Sequence, residues 1–301
     1  MKRERVMVPE AEFRSYYGRP VIKPPLWHEP HMPTYLYLGG LSGVSSVMAV
    51  MARLTGRTRL ERPARAAAAA GAVLGAGLLA AELGRPERFL NMLRVFKPTS
   101  PMSVGSWILS AHGGLATAAL ASDLTGVLRP AGDAALLATA VTGPLTATYT
   151  AVLVADTAVP AWHEAYRELP FLFAGSALAS AGAACMLAAP PAHAGPARAV
   201  AVLGAAMETA AGQIMERRLG LAGEPYRTGS AGTLMRAARV LTAGGGLLAA
   251  VSGRSRALAA LSGLALTAGS LCTRFGVLRA GRASAADPKY TVVPQRARAA
   301  G

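Results

Sequence analysis

The sequence predicts an all-α membrane protein with eight transmembrane helices, on three observations. Of its 301 residues, 52% are apolar and only 16% are charged, whereas a soluble domain carries about a quarter charged residues. The apolar residues gather into eight stretches, each close to the ~20 residues a helix needs to cross a ~30 Å hydrocarbon core. Within them, runs such as AAAAAGAVLGAGLLAA, residues 66–81, lack the polar face at 3.6-residue spacing that a soluble buried-helix protein needs.

Taken in order, the N-terminal segment 1–32 is polar, proline-rich and without an apolar core, so no cleavable secretory signal is expected and the first span must target the chain. The membrane domain covers 33–279, with spans at roughly 33–54, 64–83, 103–124, 133–155, 170–189, 196–215, 232–252 and 257–278. The first two carry Gly39-x-x-x-Gly43 and Gly71-x-x-x-Gly75. That spacing suits lipid, where small residues that let backbones touch replace hydrophobic burial as the packing force. The second span ends at Glu82, and a basic connector follows with Arg85, Arg88 and Arg94 set among Phe89, Leu90, Met92, Leu93 and Phe96. The third span has Trp107 near its start and His112 deeper; the fourth contains Gly143-Pro144, where a kink is expected. Residues 280–301 are too polar to span and read either as disordered or as lying along a partner subunit.

Charge gives an orientation. With eight spans, 22 of the 31 Lys and Arg residues fall on the side of the two termini, which places both termini in the cytoplasm of the cell membrane. Five arginines between the first two spans (Arg53, Arg57, Arg59, Arg62 and Arg65) oppose this bias. The net charge of +15 reads as topology plus attraction to anionic head groups, and no nucleic-acid motif accompanies it.

The chemistry-bearing residues are few. Only His112 of the five histidines lies inside a span, whereas a membrane haem b needs two axial histidines on facing helices. Cys185 and Cys272 stand singly in apolar runs and cannot ligate an iron–sulfur cluster. No phosphate loop, dinucleotide fingerprint or zinc signature is present. His28, His31, Tyr35, Glu82, Trp107, Tyr149 and Asp156 instead fall at one depth, near the cytoplasmic ends of the first four spans. Ionisable groups at such positions mark function by default. Plainer roles compete: Glu82 can pair with Arg85 or Arg88, the aromatics can form an interfacial belt, and His112 can be a packed polar group or a proton relay. Glu208, about midway along the sixth span, is the second deep candidate, and it can pair with an arginine such as Arg236 or Arg239.

GRPERFLNML followed by SPMSVGSW, residues 84–107 apart from the intervening turn, resembles the connector of the NrfD/PsrC-type family of polysulfide reductase membrane subunits. YLYLGGLSGVSSVMA (35–49), TGPLTATYTAVL (142–153) and DPKYTVVPQR (287–296) are similar to that family too. The resemblance implies two four-helix bundles and a subunit free of haem and iron–sulfur clusters. Such a subunit exchanges electrons and protons with a membrane quinone, menaquinone or ubiquinone, in a polysulfide-, formate- or thiosulfate-type complex. Its implied partners are a ferredoxin-like iron–sulfur subunit and a molybdopterin catalytic subunit. On this reading Tyr149, Asp156, His112 and Glu208 are candidate catalytic residues. His28, His31, Tyr35, Glu82, Trp107 and Tyr149 would bind the quinone, and Arg85, Arg88 and Arg94 the partner. A secondary transporter or proton-translocating permease is the alternative; Pro144 and Glu208 fit it, but the repeated halves such proteins carry are not evident. A purely structural anchor is a third reading.

Overall fold

The computed structural model describes residues 20–83 and 85–299. Those residues form α1 (His31–Leu54), α2 (Thr58–Glu82), α3 (Pro101–Thr125), α4 (Arg129–Ala155), a short α5 (Pro160–Glu164), α6 (Leu169–Ala188), α7 (Gly195–Arg218), α8 (Gly229–Val251), α9 (Arg256–Ala286) and α10 (Lys289–Ala299), with no strand among them. Six are long and apolar enough to cross a membrane: α1, α2, α4, α6, α8 and α9. α3 and α7 match them in length, at 25 and 24 residues. They are diluted by His112, Ser and Gly in the one, and by Arg198, Glu208, Gln213 and Glu216 in the other.

Local chemistry sets the ends. The Ser103 N–H donates to Ser100 Oγ at 3.4 Å and Pro101 opens α3, the arrangement that satisfies a first-turn donor and presets φ. Gly126 ends the same helix at φ 74°, a left-handed conformation that costs glycine little. α1 packs on α2, α4 and α6; α3 packs on α2 and α4; α6 packs on α7 and α9; and α8 packs on α7 and α9. Small residues make these approaches possible. A Cβ on Gly43 would strike the Gly143 carbonyl oxygen across α1 and α4, and one on Gly71 would lie 2.9 Å from the Leu38 carbonyl oxygen. Gly39 has open space beside it, so the expected Gly39-x-x-x-Gly43 pair works through Gly43 alone. Outward-facing Val73, Leu74, Val141, Phe171, Leu203, Val240, Leu247 and Leu264 are each more than half exposed. Soluble monomers do not show so broad an apolar exterior.

The C-terminal segment departs from expectation, because α9 continues to Ala286 and α10 follows it. The cause is a packing seat: the Trp162 indole N–H donates to the Val277 carbonyl at 2.7 Å, and the ring lies directly on Gly281, where no Cβ would fit. At the opposite end of α1–α4, Arg65 is 3% exposed and bonds Glu61 at 2.5 Å, while Arg53 bonds Asp133 at 2.5 Å and Arg62 pairs with Asp123 at 3.4 Å. Three of the five arginines that oppose the charge bias are thus held by carboxylates.

Candidate functional site

Where α2 and α4 end and α1 and α3 begin, the first four helices part around a cleft of about 170 Å³ that opens to the surface, and such openings between bundled helices are common places for small organic ligands. Tyr35, Glu82, Ser106 and Tyr149 line it from the four helices in turn. Leu26 and Trp27 from the N-terminal segment, and Leu83 and Met92 from the connector, complete its apolar wall. The connector therefore forms part of this wall through a 3-10 turn, Pro86–Leu93, whose Arg85 and Arg88 point to the surface, as does Arg94 just beyond it.

Glu82 turns inward, and the expected pairing with Arg85 or Arg88 is not made. Its Oε1 accepts from the His28 backbone N–H at 2.6 Å and lies 3.2 Å from His28 Nδ1; its Oε2 lies 3.6 Å from His31 Nδ1. One backbone amide and two nearby imidazoles hold this carboxylate in the cleft, whereas an arginine on a surface turn keeps its hydration. Oε2 is buried and lacks a hydrogen-bond partner. The histidines are 68% and 40% exposed on their side chains, so they connect this carboxylate to water.

Two contacts hold the N-terminal segment over the cleft. Trp27 stacks on Trp162 at 5.3 Å between ring centroids, and Glu29 bonds Arg279 through both carboxylate oxygens at 2.7–3.1 Å. Arg279's hydrogen bonds and charge hold the Glu29 carboxyl below its ordinary range. Tyr149 is seated by Gly105, where a Cβ would collide with its ring. Tyr35, 2% exposed, closes the inner wall.

The other predicted residues lie elsewhere. Trp107 is 42% exposed and meets Phe96 edge-on at 6.2 Å, on the outer surface. Asp156 caps α4 at φ −82°, ψ 55°, so the chain has left the helix; the residue is exposed and is not part of the cleft lining. His112 sits about 16 Å down α3 and is fully buried. Its Nε2 is 3.0 Å from Ser42 Oγ and its Nδ1 3.0 Å from Thr142 Oγ1. Ser42 gives its one proton to the Ala68 carbonyl at 2.6 Å, so Nε2 donates to Ser42 Oγ, and the imidazole pins α3 to α1 and α4. Glu208 does not meet Arg236 or Arg239. Arg239 pairs with Glu216, Arg236 bonds the Arg227 carbonyl, and Glu208 accepts from the Thr273 hydroxyl at 2.5 Å. Trp27 and Arg274 are the residues the sequence reading passed over. An arginine inside the apolar run 257–278 was the available signal for the second.

The architecture and the cleft define a class: a polytopic helical membrane protein with an apolar cleft at one end of its first four helices. Residues 18–215, about two-thirds of the chain, match the family described as "Polysulphide reductase, NrfD". The chain belongs to the NrfD family, the membrane subunits of polysulfide reductase-type complexes, and the matched segment contains the whole cleft. No curated protein matches the chain.

Proposed function

We propose that the protein is the quinone-reactive membrane subunit of a molybdopterin and iron–sulfur oxidoreductase complex. All eight long helices cross the membrane as two four-helix bundles, both termini are cytoplasmic, and the chain itself carries neither haem nor cluster. One observation carries the reading: an apolar cleft lined by two tyrosines and a buried carboxylate with an open oxygen. The residues fit a quinone. The apolar wall suits its ring, the seat at Gly105 holds Tyr149 in place, and Glu82 Oε2 offers an unmet acceptor.

A bound quinone supplies two-electron, two-proton redox chemistry, and electrons reach or leave it through the iron–sulfur partner. The chain's own residues manage the protons. Tyr149 provides a hydroxyl in the cleft wall, and Glu82 holds or accepts a proton at Oε2. His28 and His31 pass protons between that carboxyl and water, because each touches Glu82 and remains solvent-exposed. Trp27, Leu83 and Met92 exclude bulk water from the remaining wall. The exposed Arg85, Arg88 and Arg94 form no ion pairs among the described residues, which leaves them for an acidic patch of the partner.

Tyr149→Phe keeps the ring and Glu82→Gln keeps the shape of the carboxyl. In the assembled complex each is expected to lower quinone-linked turnover at least ~10-fold, the low end for a lost proton-transfer group. Dye-linked activity of the catalytic subunit should be unchanged. Normal quinone turnover in both variants would remove the cleft from the reaction.

A further inference from the structure

The helices α6–α9 hold a second polar site, separate from the cleft. Glu208 lies about 15 Å from the end of α7, near the middle of a bilayer's hydrocarbon core, and is 4% exposed. Its Oε1 takes the Thr273 hydroxyl, while Oε2 has no hydrogen-bond partner. Arg274, next on α9, is 1% exposed. Its Nη2 donates to the Phe173 carbonyl at 3.0 Å and its guanidinium lies 3.6 Å above the Phe173 ring, yet Nε and Nη1 are unpartnered. Glu208 and Arg274 are neighbours that do not bond each other.

A carboxylate with a bare oxygen at this depth is costly, and the cost is removed by a proton on that oxygen or by water against it. Both have a way in. A cavity of about 20 Å³ is lined by Glu208, Gly212, Glu216 and Arg239, the last two paired closer to the end of α7. The hydroxyls of Thr209 and Thr242, also buried and unpartnered, line it. Its volume admits about one water molecule.

We propose that Glu208 is a proton-exchange site served through this passage. The carboxyl O–H breaks to a water held by Thr209 and Thr242, and the proton leaves by the Glu216–Arg239 mouth; uptake is the reverse, with no electron transferred. The charged groups facing Glu208 are Arg274 from α9, Arg239 from α8 and Glu216 on its own helix. α6 presents Leu172 and the backbone at Gly175, and no titratable side chain, among the described residues. Arg274 is the fixed positive charge that makes the deprotonated state reachable. This site stands whether or not the cleft takes a quinone.

Infrared spectroscopy of the purified full chain tests it. The wild type should carry a protonated-carboxyl band that Glu208→Gln removes and Glu208→Asp displaces, and transfer into D₂O should shift that band within the mixing time. Gly212→Leu extends a side chain into the passage, where a Cβ meets only Leu172 at 3.6 Å, and should slow the shift at least ~10-fold. A carboxyl region identical in wild type and Glu208→Gln, from about pH 5 to about pH 9, overturns the proposal. So does a Glu208 band that ignores D₂O, or one that exchanges equally fast with Leu at 212. Should Glu208→Gln not fold, the Asp and Gly212→Leu variants carry the same decision.

Discussion

Gly105 illustrates how much can rest on a missing atom. Its bare Cα is what admits the Tyr149 ring to the cleft wall. Gly105→Ala is therefore expected to displace the ring and lower quinone-linked turnover severalfold, while the helix, for which alanine is the better former, stays folded; circular dichroism and turnover together check this. Glu29 gives a prediction in pH. Its carboxyl is held low by Arg279, so the stabilisation is complete above the unfolded carboxylate value, about 4.3, and is lost as pH falls through the lowered folded value. Thermal unfolding followed by Trp27 and Trp162 fluorescence should weaken on the acid side in the wild type. Glu29→Gln should flatten that acid limb and lower stability near neutrality.

At the scale of helices, small residues and buried polar groups divide the labour. Gly43, Gly71 and Gly143 let α1, α2 and α4 approach closely, and His112 then ties α3 to the same layer with two hydrogen bonds. The far ends of these helices are fastened by Arg65 and Glu61, which are 3% and 4% exposed. Removing Arg65 leaves the buried Glu61 carboxylate with only the 3.8 Å contact to Arg53. Arg65→Met should thus cost about 3 kcal/mol or more, read as an earlier midpoint in detergent-driven unfolding. The double variant with Glu61→Gln should recover most of that loss. Equal stability of the single variant and wild type would show that water already reaches the pair.

For the molecule as a whole, the crossing number and the sidedness are the open quantities that a labelling experiment decides. In a background lacking Cys185 and Cys272, single cysteines at Val127 and Arg254 should react from the outside. Cysteines at Leu90 and Tyr166, both at least half exposed, should react from the cytoplasm. If α3 did not cross, position 127 would label from the same side as position 90.

The amino-acid pattern alone was enough for the helical class, for eight long helices close to their final bounds, and for the connector that marks the NrfD family. Those features follow from segment length, apolar content and local turn chemistry, all of which act within a few residues along the chain. The depth of Tyr35, Glu82 and Tyr149 was legible for the same reason, since rise along a helix is fixed per residue. Direction around the helix axis was not. Glu82 facing His28 rather than Arg85, Trp107 facing outward, and Glu208 meeting Thr273 beside Arg274 all depend on how each helix is rotated against its neighbours. That rotation is chosen by close contacts such as Gly43 on Gly143, between residues a hundred positions apart. Asp156, at the exposed C-cap of α4, stays outside the cleft that Tyr149 lines. The C-terminal extension of α9, likewise, exists where Trp162 and Glu29 give it a surface to pack on, and no local signal in a polar tail announces a seat supplied by distant parts of the chain.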